Sequence, residues 1–210
     1  MHTKDSKINL FLLIVTTIVF IWSVIHPTRY LNWLLEVLPA IVVIAFVLIT
    51  YNKFRLTTLC YFFIAYLSIL MFIGGHYTYD DVPLFDWIKK VYHLKRNDYD
   101  RFGHFFKGMM AIIFREVLLR KTPLKKGPWL IGIILCICLA IAASYEIIEA
   151  IYAIISSGGK VSKDFLGMQG DIWDSQKDMA TALIGSVVAL LFLSKIHNKF
   201  LEKHMSNIKS

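Results

Sequence analysis

Cysteine is scarce in this chain, and the three present, Cys60, Cys136 and Cys138, all fall inside apolar runs. That placement excludes a disulfide framework in the polar loops and suits small buried hydrophobes. Cys136 and Cys138 are two positions apart, so on a helix they point to different faces and make no metal-binding pair. Also missing are a Gly-x-Ser-x-Gly elbow, a His-Glu-x-x-His zinc helix and a phosphate-cradling glycine loop. No tract is low in complexity and no internal repeat is apparent, so the inverted repeat of many carriers is not found. Charge is sparse as well: 18% of residues are charged while 57% are apolar, and the apolar residues come in long unbroken stretches.

Those stretches set the class as all-α, a polytopic membrane helix bundle with about six transmembrane helices. Six segments reach the length a helix needs to cross a bilayer with its own backbone hydrogen bonds satisfied. They are Ile8–Ile25, Trp33–Tyr51, Leu56–Gly75, Phe102–Leu119, Trp129–Ile155 and Met179–Ile196. With 210 residues the chain has room for these and short loops, giving one integral membrane domain over 1–210. The first segment is too long for a signal-peptide core, and His26-Pro27-Thr28-Arg29 is no cleavage site, so it reads as a retained anchor. The fourth carries Lys107, Arg115 and Glu116 and belongs inside the bundle. Between the third and fourth, Val82 to Tyr92 has apolar residues at helical spacing with Lys89 and Lys90 opposite, which predicts a short interfacial helix.

Six crossings put both termini on one side. Lys and Arg near the termini, around Lys53/Arg55 and from Arg120 to Lys126 outweigh those on the other side, where Lys95, Arg96, Arg101, Lys160, Lys163 and Lys177 are mixed with Asp. The positive-inside rule therefore favours cytoplasmic termini in a multi-pass cell-membrane protein. The formal net charge of +8 suits anionic lipid and no nucleic acid, because the basic residues flank spans and form no aromatic-lined groove.

Under this topology eight polar side chains collect at one end of the bundle: His76, Asp100, His104, Glu146, Glu149, Asp171, Asp174 and Asp178. Asp100 and His104 are one turn apart, a spacing that lets both hold a metal or lets the carboxylate orient the imidazole as a base. Lys107 and Arg115 continue the same helical face, giving a polar stripe that runs inward from this end. The bland alternative makes Asp98 or Asp100 a helix cap and sends Arg115 to the interface. Glu146 and Glu149 share a face, and two like charges in a low dielectric call for a cation or a proton. Asp171, Asp174 and Asp178 share a face if their helix begins near Asp171, although Asp171 and Asp174 also have capping-box spacing.

Several of these segments resemble motifs of the YjdF-like inner-membrane proteins: Gly74-Gly75-His76-Tyr77, Tyr99-Asp100-Arg101-Phe102-Gly103-His104, Tyr145-Glu146-Ile147-Ile148-Glu149 and Gln169-Gly170-Asp171-Ile172-Trp173-Asp174. That resemblance covers most of the chain from the third span onward; it implies the topology and carries no established activity. Asp100-Arg101-Phe102-Gly103-His104 is also similar to the opening of one span in VanZ-like membrane proteins. The three acids resemble part of the CDP-alcohol phosphotransferase motif, whose Asp-Gly-x-x-Ala-Arg portion is absent.

Three functions fit these residues. In an enzyme, a divalent metal (Mg²⁺, Mn²⁺ or Zn²⁺) is held by a subset of Asp100, His104, Glu146, Glu149, Asp171, Asp174 and Asp178 and acts on a lipid or phosphate-bearing headgroup. His104, Glu146 and Asp178 are then the catalytic candidates, with His76, Lys107 and Arg115 as further polar residues. In a proton- or cation-coupled carrier, Glu146 and Asp178 bind the ion and Arg115 is an intramembrane partner. In a structural protein the cluster only locks helices together.

Overall fold

Long apolar runs offer the backbone no partner but itself, and the computed structural model is helical nearly throughout the residues it describes, 3–155 and 169–209. In order these are α1 (Thr3–Val24), α2 (Tyr30–Thr50), α3 (Thr58–Tyr77), a 3-10 turn (Tyr79–Asp81), α4 (Pro83–Val91), α5 (Tyr99–Met109), α6 (Ala111–Lys121), α7 (Pro128–Ile155) and α8 (Asp174–Val188). A π-helical turn, Ala189–Leu193, joins α8 to α9 (Ser194–Lys209). Among the described residues, five elements are long and apolar enough to cross a membrane: α1, α2, α3, α7 and the continuous α8–α9.

The predicted fourth span, Phe102–Leu119, is instead two helices. At Met110 (φ −59, ψ −10) the backbone tightens: its amide donates to Lys107 O at 3.2 Å, and its carbonyl accepts from Ile113 N at 2.8 Å. Bonds spanning three residues interrupt the α-helical ladder. The sixth span starts five residues before its predicted edge, at Asp174, and runs past the predicted Ile196. The short helix α4 lies within its predicted stretch, with Pro83 at its first position and Lys89 and Lys90 in its last turn. It ends as His93 turns to φ +53 and Leu94 N reaches back to Lys89 O at 2.9 Å. Its Leu84, Trp87 and Val91 are exposed, as an interfacial face requires. The predicted loop Ser156–Lys177, with Lys160 and Lys163, lies over 156–168 outside the described residues.

The core has three parts. Trp33, Val37, Met71 and Phe72 join α2 to α3, while Leu70, Tyr79, Val82 and Tyr99 seat the 3-10 turn against α5. Cys60, Ile64, Ile112, Ile134, Ala189 and Leu190 join α3, α6, α7 and the π turn at the other end. Helices α5 and α8 meet most closely of all. A Cβ on Gly108 would strike the carbonyl of Ala182, and one on Gly185 the carbonyl of Phe105, so two backbones touch where side chains would separate them. That contact holds the second halves of α5 and α8 together.

Candidate functional site

The α5–α8 contact sets Asp100 and His104 against Asp178. One ligand atom from each lies within 4.8 Å of the others, and all three residues are buried. Helix α7 adds Glu146: His104 Nε2 is 3.5 Å from Glu146 Oε1 and 3.6 Å from Asp100 Oδ1. Ligands bonded at about 2.1 Å on a tetrahedron sit about 3.4 Å apart, so these separations suit a metal. Three buried atoms here have no hydrogen-bond partner among the described residues: His104 Nδ1, Glu146 Oε1 and Asp178 Oδ1. Unsatisfied polar atoms in a low dielectric are costly, and they are rare without a cause.

Charge at this end is unbalanced. Glu149 is buried beside Glu146, within electrostatic reach of Asp100 and Glu36. The Lys107 ammonium donates to His104 Nε2 at 3.0 Å and sits 4.0 Å from the centre of the Tyr145 ring. The nearby arginines are engaged elsewhere. Arg96 pairs with buried Asp174, and Arg101 NH2 donates to Asp171 at 2.6 Å and to Asp174 at 3.1 Å. Among the described residues, a single ammonium therefore stands amid the carboxylates of Glu36, Asp100, Glu146, Glu149 and Asp178.

Glu36 went unnoticed in the sequence. It is buried in the second turn of α2, and the Tyr145 hydroxyl donates to its Oε2 at 3.0 Å. The available signal was an acid alone in an apolar span, which by default marks function. Around the rim, Gln169 Nε2 donates to Asp80 Oδ1 at 2.9 Å, and Asn97 N donates to Gln169 Oε1 at 2.8 Å. Burial, with the Asp100 charge adding to it, pushes the Asp80 carboxyl up to about 7.

Other predicted residues lie apart from this centre. His76 packs on the Trp22 ring, and its Nδ1 is 3.1 Å from Ser23 O, so it ties α3 to α1. Arg115 does not continue the stripe of Asp100, His104 and Lys107, because the interruption at Met110 intervenes. Its NH1 is 2.6 Å from His197 Nδ1 and its NH2 donates to Asn198 at 2.7 Å, at the opposite end of the bundle. Asp171 precedes the helix, accepting from Trp173 N at 3.1 Å and from Lys177 Nζ at 2.5 Å. Those contacts, the lysine first, hold its carboxyl well below the usual range. With α8 starting at Asp174, only Asp174 and Asp178 share a face of that helix. Asp98 makes no side-chain cap on α5, and Asp100 is buried in the centre, so neither follows the capping alternative.

A second buried cluster was not anticipated. Glu116 accepts from Thr57 N (3.0 Å), Thr57 Oγ1 (2.7 Å), Cys60 Sγ (3.1 Å), Arg120 NH1 (2.6 Å) and His197 Nε2 (3.0 Å). Cys60, Glu116 and His197 have metal-binding proximity, but every polar atom of the three is already partnered.

Residues 8–199 match the family model described as predicted membrane protein (DUF2238). The chain belongs to this family. It is also 38% identical over 188 residues to the inner membrane protein YjdF of Escherichia coli (strain K12), covering 89% of each chain. No solved structure matches. The family assignment agrees with the motif resemblance to YjdF-like proteins and with a membrane location; the matches do not extend to the VanZ-like likeness.

Proposed function

We propose that the protein is a divalent-metal-dependent membrane enzyme acting on a phosphate-bearing lipid headgroup, with the metal held by Asp100, His104 and Asp178. One observation carries the reading: two carboxylates and an imidazole converge, buried, with unpartnered atoms on His104, Asp178 and adjacent Glu146, amid more carboxylates than cations among the described residues. Oxygen ligands joined by one imidazole favour Mn²⁺ or Zn²⁺ over Mg²⁺. A metal there would neutralise a headgroup phosphate and acidify a bound water. Glu146, 3.5 Å from the imidazole, is positioned to take that water's proton. Lys107 would leave His104 Nε2 when the metal binds and turn toward the phosphate.

A lipid substrate has support of its own. Below Lys107 and Tyr145 an apolar cavity of about 190 Å³, lined by Pro39, Val43, Met71 and Ile141, lies between α2 and α7. A dry cavity of about 150 Å³ is enough to hold a small apolar group, so an alkyl segment fits while its headgroup meets the acids. In the orientation we propose, with both termini cytoplasmic, this centre faces outward.

The interrupted fourth span favours a carrier as the second reading, because carriers bind at broken helices. Here the break at Met110 packs against apolar neighbours, whereas the acids sit two turns away. Metal analysis of purified protein separates the readings. About one Mn²⁺ or Zn²⁺ per chain is expected, with affinity reduced at least tenfold in folded Asp178→Asn and His104→Ala. Wild-type protein without any stoichiometric divalent ion, even after incubation with each metal, would sink the enzyme reading. Proton-coupled uptake into vesicles, lost in Glu146→Gln, would install the carrier.

A further inference from the structure

The end of the bundle opposite the acidic centre carries both described termini and a second, differently built cavity. It measures about 530 Å³ and is lined by Lys53, Arg55, Arg120, Lys203 and His204, with the first turn of α3 at its wall. The acid in its lining, Asp5, is already paired with Lys203 at 3.1 Å. An electropositive pocket between helices at the basic side of a membrane protein suits a phosphate headgroup.

This cavity adjoins an apolar one, with which it shares part of its lining. A groove of about 210 Å³ runs between α1 and α2, floored by Ile64 and Ala65 of α3 and walled by Leu13, Ile44 and Leu48. Ser6, Asn9 and Tyr51 line both spaces. At that junction Ser6 Oγ and Asn9 Oδ1 are shielded from solvent and have no partner among the described residues, and His204 Nε2 in the basic cavity is likewise unpartnered. The Ser6 hydroxyl and the His204 imidazole can donate to phosphate oxygens, and Asn9 Oδ1 can accept from a hydroxyl of a glycerol headgroup. A soluble anion would fill the basic cavity and leave the groove empty; a phospholipid fills both.

We propose that this paired cavity is a binding site for an anionic phospholipid, with its phosphate at Lys53, joined by Lys203 as it exchanges Asp5 for the phosphate and by Arg120 beside its bond to Glu116, and one acyl chain along the groove between α1 and α2. The site lies at the other end of the bundle from the acidic centre and does not depend on it. Anionic lipid is enriched in the cytoplasmic leaflet, where this end lies if the termini are cytoplasmic.

The test uses full-length protein in neutral detergent, titrated with phosphatidylglycerol, phosphatidylcholine or inorganic phosphate, with bound lipid counted by native mass spectrometry. Phosphatidylglycerol is expected to bind in preference to phosphatidylcholine and to resist competition by millimolar phosphate. Lys53→Gln and Lys203→Gln, both on exposed side chains, should each weaken it about fivefold. Leu13→Trp, which fills the groove, should reduce binding of either lipid without altering the preference for the anionic one. Equal binding of the two lipids, or an unchanged affinity in the double lysine variant, would overturn the proposal. So would displacement by phosphate alone, which would assign the cavity to a soluble anion.

Discussion

Glu116 is held by more donors than any other side chain described here, and what it does is structural. Five groups, from the start of α3, from α9 and from the next turn of its own helix, point at one carboxylate that is wholly buried, and Arg115 donates to the far side of the same His197 ring. Removing the carboxylate strands Arg120, His197 and the Thr57 amide at once. Glu116→Ala is therefore expected to cost about 3–5 kcal/mol. Thermal unfolding followed by tryptophan fluorescence in detergent should drop by on the order of 10 °C. Glu116→Gln, which keeps the shape and part of the bonding, should fall in between, and a melting point unchanged in both variants would refute the assignment. None of this was legible beforehand. Thr57 and His197 are 59 and 81 positions from Glu116, and Cys60 looked like any small hydrophobe in a span. At the acidic centre the reverse holds. His104, Glu146 and Asp178 stood out because an ionisable group within an apolar helix needs a reason, and that rule applied equally to Glu36 in α2.

At the scale of elements, the acidic centre depends on how closely α5 approaches α8. Gly108 and Gly185 let the two backbones meet, and their neighbours there are main-chain carbonyls that cannot rotate aside. Gly108→Ala and Gly185→Ala should each force the helices apart and destabilise by about 1–3 kcal/mol. Both should also weaken divalent-ion binding, although neither residue touches the acids. Gly132 in α7 supplies the control, since a Cβ there meets nothing within 4 Å. Gly132→Ala should be neutral or slightly stabilising, as loss of a helical glycine allows. Equal behaviour in the three variants would mean that α5 and α8 do not pack this way. Apolar periodicity found the helices and their order, including α4. It could not find the interruption at Met110, where no proline stands, because local tightening is set by packing against α3, α7 and the π turn. Nor could it tell that α8 begins at Asp174, which left Asp171 with Arg101 and Lys177 outside the helix.

For the whole molecule, the number of helices apolar enough to cross and the placing of the two termini lead to different expected counts of crossings. Five helices are apolar enough to cross, an odd number that would send the termini to opposite sides of the membrane. Yet Lys203 near the C-terminus pairs with Asp5 near the N-terminus at 3.1 Å, and both line one cavity with Lys53 and Arg120. We therefore expect the α5–α6 pair to make a sixth passage, its charged residues shielded by neighbouring helices: Lys107 beside the acids, Arg115 and Glu116 in the opposite cluster. Pairing also sharpens the charge bias. At the acidic end Arg96, Arg101 and Lys177 are neutralised by Asp98, Asp171 and Asp174, whereas Lys121, Lys125 and Lys126 between α6 and α7 are exposed. Lys and Arg left free near span ends are the ones expected to hold their loop in the cytoplasm. Fusion of green fluorescent protein to either terminus in Escherichia coli should thus give fluorescent cells, and alkaline phosphatase at either terminus should stay inactive. Phosphatase inserted after Tyr92 should be active. Activity at both termini would invert the orientation and leave the six crossings intact. Activity at only one would remove the sixth crossing, and with it the arrangement that brings Asp5 to Lys203.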